Sequence, residues 1–217
     1  VRFMQPYIIG DWLINYAGGF VRRGLPGEFF LRLSDFSGVD APVLVYVVQV
    51  SLYFVFFLFS WLLLRRRRDL LSAIFLIFSP ALFLFPVYDA GGAFRKEILF
   101  LAVFAVNVYL HLHARARTHR RVFLVTLYAY PLLVLAQEML VIYLPFLLIL
   151  QLRRIGGDRG MIVHLAAGLT LSLMTFVGVL ALPVTIEQVE AIKGAIGTLW
   201  EGQSNAIDWL LHGPEFA

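Results

Sequence analysis

Val87-Tyr-Asp-Ala-Gly-Gly-Ala-Phe-Arg-Lys-Glu97 sets a carboxylate, a glycine pair and two adjacent cations between long apolar runs. A related stretch lies near the start of the chain, Asn15-Tyr-Ala-Gly-Gly-Phe-Val-Arg-Arg-Gly24, shortly after Asp11. Each carries a tyrosine, a Gly-Gly pair, a phenylalanine and two consecutive basic residues. If the apolar runs around them are membrane spans, both stretches fall on one side of the bilayer and their charges can converge.

The composition supports spans. Of 217 residues, 60% are hydrophobic and only 15% charged, against about 25% charged in ordinary soluble domains. Mean hydropathy is +0.82. The apolar residues come in long runs rather than at amphipathic spacing, the pattern of an all-α polytopic membrane protein. The 20 phenylalanines suit lipid-facing and interfacial surfaces. A net charge of +4 does not argue for nucleic acid, because the cations sit in short clusters beside apolar runs. With no cysteine, disulfides, thiolate metal sites and thiol nucleophiles are excluded. There is no signal-peptide pattern. The chain starts at Val1 and closes on a polar segment, so a piece of a longer protein is expected, with at least one span before Val1.

In order, residues 1–26 are too polar to span and too rich in Gly and Arg for one regular helix. Residues 27–36 place Phe29, Phe30, Leu33 and Phe36 near one helical face, which predicts an amphipathic helix lying flat on the bilayer. Runs at 41–64, 70–87, 97–112 and 161–183 read as spans. The run 122–152 has arginines at both ends and Gln137-Glu138 inside it. It is read as a hairpin of two short arms, in preference to one tilted helix with Glu138 near mid-membrane. This gives about six spans or half-spans in a single transmembrane domain covering 1–217, with 1–40 as an outer loop, 41–183 as the spans and 184–217 as an outer interfacial segment. Arginine clusters at 65–68, 115–121 and 153–159 mark the cytoplasmic side. Arg22, Arg23, Arg95 and Lys96 then break the positive-inside rule, and anion binding is a reason for cations to do so.

The candidate chemistry follows. Asp11 and Asp89, each beside glycines that admit a ligand closely, suit a general base or a metal ligand; the plain alternative is a solvated loop aspartate. Arg22, Arg23, Arg95 and Lys96 suit a phosphate or pyrophosphate, with backbone N–H groups around Gly18, Gly19, Gly91 and Gly92 adding an anion nest. Snorkelling to lipid headgroups is the alternative. Glu28 and Glu97 are expected to pair locally with Arg23 and Lys96. Glu138, flanked by apolar residues, is expected to be functional, or else a protonated acid bonded between helices. His111 and His113 are two apart and make no metal pair on a helix. His164 reads as a buried hydrogen-bonding residue, and Trp200 and Trp209 as interfacial anchors. No Gly-x-Ser-x-Gly, P-loop or dinucleotide fingerprint is present.

This layout resembles the N-terminal part of the GT-C superfamily of integral-membrane glycosyltransferases. Asp11 takes the place of the acidic residue in the first outer loop, residues 27–36 that of the flat helix, and Asp89 that of the acidic residue two spans later. The two quoted glycine-and-cation blocks are also similar to bacterial membrane proteins of surface-polysaccharide assembly. The chain departs from the superfamily's usual acidic pair, since Trp12 follows Asp11 and Ala90 follows Asp89. The resemblance implies transfer of a sugar from a polyprenyl-phosphate donor to a glycan or other acceptor at the outer face of the cytoplasmic (inner) membrane. Asp11 would then be the base, Asp89 would position acceptor or a divalent metal (Mg or Mn), and Arg95 and Lys96 would hold the departing phosphate, helped by Arg22 and Arg23. A polymerase or ligase of lipid-linked glycans, a transporter or flippase with Glu138 as coupling residue, and a structural subunit are the other readings.

Overall fold

Residues 6–65, 94–152, 159–197 and 204–211 are described by a computed structural model, and among them every regular element is helical. Asp89, Gly91, Gly92, the run 70–87 and Trp200 lie outside these residues.

Helix α1 (Pro6–Leu13) leads through a tight turn into α2 (Gly24–Ser37). The turn is possible because glycines admit close neighbours. A Cβ on Gly27 would overlap the backbone carbonyl of Ile14, and one on Gly24 would overlap the Tyr16 ring. Asn15 is buried and holds the turn from inside, donating to the Leu13 carbonyl and accepting from the Ala17 amide. Helix α2 ends at Gly38, whose left-handed φ of 69° lets its N–H reach the Ser34 carbonyl. The apolar side of α2 is divided. Phe30 turns into the core against Trp12, whereas Phe29 faces out and Phe36 is 90% exposed.

Pro42 opens α3 (Ala41–Leu64), where its missing N–H costs no helical bond. Helix α3 packs along α4 (Glu97–His113). Helix α5 (Ala116–Ala136) contains Pro131 and stops at Gln137, whose backbone is extended. A 3₁₀ segment (Glu138–Tyr143) and α6 (Leu144–Leu152) follow. A continuous helix would carry Leu140 about 15 Å beyond Tyr130, farther than a tyrosine reaches. Instead the Tyr130 hydroxyl donates to the Leu140 carbonyl at 2.6 Å, and the Tyr143 ring stacks on Phe100 with centroids 4.9 Å apart. The chain therefore reverses at Gln137-Glu138, and the single helix weighed for 122–152 is not formed.

Helix α7 (Arg159–Ala181) lies along α5, closely enough that a Cβ on Gly168 would overlap the Leu127 side chain. The Tyr128 hydroxyl and His164 Nδ1 join the same pair of helices at 2.8 Å. The tail is tied into the fold. A capping box between Thr185 and Gln188 starts α8 (Ile186–Ile196), and α9 (Ser204–Asp208) follows, ending in a 3₁₀ turn at Trp209–Leu211. Val189, Ile192, Ile196, Ile207 and Leu210 join the core of α1 and α2, while Trp209 stays exposed.

Two described helices, α3 and α7, are long and apolar enough to cross a membrane; α4 and the segment 138–152 are apolar but shorter. Only 17% of the most apolar window of α3 is buried and 22% of that of α7, unlike the core helix of a soluble protein. Two apolar cores result. One joins α1, α2, α3 and the tail to the start of α4; the other joins α4, α5, α6 and α7.

Candidate functional site

Four charged side chains from four separate segments meet where the two cores touch. Asp11 comes from α1, Arg23 from the turn before α2, Lys96 from the residue before α4, and Glu138 from the reversal after α5. Arg23 binds both carboxylate oxygens of Glu138, through Nε at 2.9 and 3.0 Å and through a terminal nitrogen at 2.6 Å. This is the bidentate fork that makes arginine–carboxylate pairs strong. Its other terminal nitrogen lies 3.8 Å from Asp11. The Lys96 ammonium lies 3.5 Å from Asp11 and donates to the Arg23 carbonyl at 3.3 Å. The Lys96 side chain is fully buried and that of Glu138 is 3% exposed, while Asp11 and Arg23 keep 17% and 19% of theirs in reach of solvent.

Two cations face two carboxylates, so the buried group is charge-balanced. Balance is what makes such burial tolerable, because a lone ion taken out of water costs several kcal/mol. Burial pushes the Lys96 ammonium below its usual pKa, with Arg23 adding to the effect and Asp11 and Glu138 opposing it. Burial acts on Arg23 in the same direction, but the hydrogen bonds and charge of Glu138 prevail and raise it.

Backbone geometry sets these positions. Arg23 is left-handed (φ 64°), an uncommon state for a non-glycine residue. Phe94, two residues before Lys96, is also left-handed (φ 63°). Its carbonyl accepts from Trp12 Nε1 at 2.9 Å and from Gln49 Nε2 at 3.0 Å, and its N–H donates to the Tyr53 hydroxyl at 3.2 Å.

The sequence expectations meet this geometry unevenly. Asp11, Arg23, Lys96 and Glu138 come together. Arg22 turns the other way, donating to the carbonyls of Trp209 and Leu210 at 3.2 and 3.0 Å. Arg95, next to Lys96 in the chain, is exposed. Glu28 is not the partner of Arg23: it accepts from the Tyr16 amide and pairs with Arg32 at 2.6 Å, one helical turn away. Glu97 forms no ion pair with Lys96 among the described residues. Glu138 is bonded between segments, but as a carboxylate on arginine instead of a protonated acid. Gly18 is used to seat the tail, since a Cβ there would lie 2.6 Å from the Gln188 Cα. Gly19 (φ 104°) turns the chain and takes the Phe20 carbonyl to the Gln188 side chain.

The sequence reading missed Trp12, Gln49 and Tyr53. A glutamine in an otherwise apolar run was the available signal. Among the described residues no three carboxylate, imidazole or thiol groups converge to hold a metal. Asp11 faces two cations, a poor setting for a divalent ion, so no step below runs through one. No protein-family model, curated protein or solved structure matches this chain.

Proposed function

We propose that the chain is the membrane-embedded part of a glycosyltransferase that moves a sugar from a polyprenyl-phosphate donor to an acceptor hydroxyl at the outer face of the cytoplasmic membrane. The observation that carries this reading is that cations from the two glycine-and-cation stretches meet. Lys96 of one reaches the Arg23 carbonyl of the other, and Asp11 lies between their charges. The outward apolar faces of α3 and α7 and the exposed Phe29 and Phe36 of α2 suit lipid tails and their interface. About six spans and half-spans, with the turns on one side, complete the architecture.

In the reaction, Asp11 accepts the proton of the acceptor hydroxyl. The acceptor oxygen bonds to the anomeric carbon as the bond from that carbon to the phosphate oxygen breaks. The electron pair leaves on polyprenyl phosphate. Arg95, exposed and next to Lys96 in the chain, stabilises that anion, as cations do for charge that develops in a transition state. Arg23 and Lys96, 3.8 and 3.5 Å from Asp11, flank it with positive charge.

Proteoliposomes supplied with radiolabelled polyprenyl-phosphate sugars and a glycan acceptor test this. Asp11→Asn is expected to insert and fold normally and to lose transfer. Wild-type transfer by that variant removes Asp11 from the chemistry. Substrate crossing the bilayer with no covalent change favours the transport reading instead.

A further inference from the structure

The ion pair at the centre of the site is a long one. Lys96 and Asp11 are 3.5 Å apart, compared with a usual charge-assisted contact of about 2.7–2.9 Å. A contact of that length does not fix its own geometry, so something else must hold the two groups in register. The residues on either side of the pair provide it. Trp12, the neighbour of Asp11, donates through Nε1 to the carbonyl of Phe94, two residues before Lys96. Gln49, nearly fully buried in α3, donates to that same carbonyl. A carbonyl oxygen has two lone pairs, and these two donors occupy both. The Phe94 N–H is bonded to Tyr53, one helical turn after Gln49. Phe94 has no remaining backbone hydrogen-bonding capacity, and its left-handed conformation is imposed by three partners on two helices.

We infer that Gln49 and Trp12 are positioning residues. By clamping the Phe94 carbonyl they fix the backbone that leads into Lys96, and so set its ammonium against Asp11. An amide in an apolar span costs free energy unless it is bonded. Gln49 therefore serves as a mid-helix anchor for a site at which its own side chain takes no part. The assignment to catalysis rests on the reading of Asp11 as the base; the positional effect on Lys96 does not.

The chain offers an unusually clean test, because it has two lysines only, Lys96 and Lys193. Lys193 pairs with Asp208 at 2.9 Å and with Glu190 at 3.1 Å. A water-soluble carbodiimide condenses a carboxylate and a neighbouring amine to an isopeptide, the carbodiimide taking up the water as a urea. Applied to the purified chain in detergent, it should yield two families of cross-linked peptides by mass spectrometry, Asp11–Lys96 and Lys193 with Asp208 or Glu190. Gln49→Leu and Trp12→Phe each keep an apolar side chain in place and remove one donor. In each, the Asp11–Lys96 isopeptide should fall roughly tenfold, in line with the sensitivity of proximity-driven reactions to small displacements, while the Lys193 products stay level. An unchanged Asp11–Lys96 yield overturns the inference. A parallel fall in both families also overturns it, since it would make Gln49 and Trp12 general packing residues. The assay needs no sugar donor, so its outcome is separate from that of the Asp11→Asn transfer experiment.

Discussion

The two apolar cores are held together by different means. The first, around α1, α2, α3 and the tail, is crossed by polar bonds between residues far apart in sequence: Trp12 and Gln49 to Phe94, and Arg22 to Trp209 and Leu210. The second, around α4 to α7, is mainly aromatic and aliphatic. Phe100 stacks between Phe104 and Tyr143, and Leu127 fills the space that Gly168 leaves. Helix α4 belongs to both, with Ile98 in the first and Phe100 in the second. The four ions sit at the join. Bonds between distant segments tie the short helices and turns of the first core to α3, whereas in the second core the polar links, Tyr130 to Leu140 and Tyr128 to His164, supplement close apolar packing. Charges gather where one regime gives way to the other.

Breaking the join should have the largest effect. Glu138→Leu leaves Arg23 without its main partner, and loss of one member of a buried pair costs about 3–5 kcal/mol. A large fall in thermal denaturation temperature in detergent is expected. Adding Arg23→Met should recover most of it, because removing both charges avoids the unpaired ion. No recovery would mean that the pair holds more than itself.

Glycine substitutions sharpen the contrast between the cores. Gly27→Ala drives a methyl into the Ile14 carbonyl, which is backbone and gives little, and should cost about 1–3 kcal/mol. Gly168→Ala presses on the buried Leu127 at its Cγ and both methyls, so a side chain must shift in place of backbone, and the loss should fall in the lower half of that range. Equal losses in paired denaturation curves would show the second core to be as rigid as the first. The smallest change is a gain. Gly194 lies within α8 with open space around it, so Gly194→Ala should add about 0.5–1 kcal/mol by lowering the entropy lost on helix formation. A lower denaturation temperature would place a hidden contact there.

Much of the fold could be read from the chain. The uncharged run 41–64 became a helix with the same limits, and Gln137-Glu138, polar residues inside an apolar run, mark the place where the chain turns back. Of the four cations in the repeated glycine-and-cation pattern, Arg23 and Lys96 come together, whereas Arg22 turns to the tail. Partner choice was not legible. Glu28 and Glu97 are near Arg23 and Lys96 in sequence, but the partners that matter are Glu138, 115 residues away from Arg23, and Asp11. Local spacing ranks short-range pairs first, and tertiary closure overrides that ranking. Gly18 misled for a related reason, since a glycine needed for close approach does not announce whether a ligand or a helix is approaching. Gln49 could have been noticed as a polar residue in an apolar run, but its acceptor is a main-chain oxygen and leaves no trace in side-chain patterns.

Arg22 carries a consequence for how the molecule is made. Its two carbonyl acceptors are 187 and 188 residues downstream, so this turn leaves the ribosome well before the segment that supplies those bonds. Removal of the residues from Ser204 onward should therefore be felt first at this distant turn, as increased protease sensitivity around Val21 to Gly24.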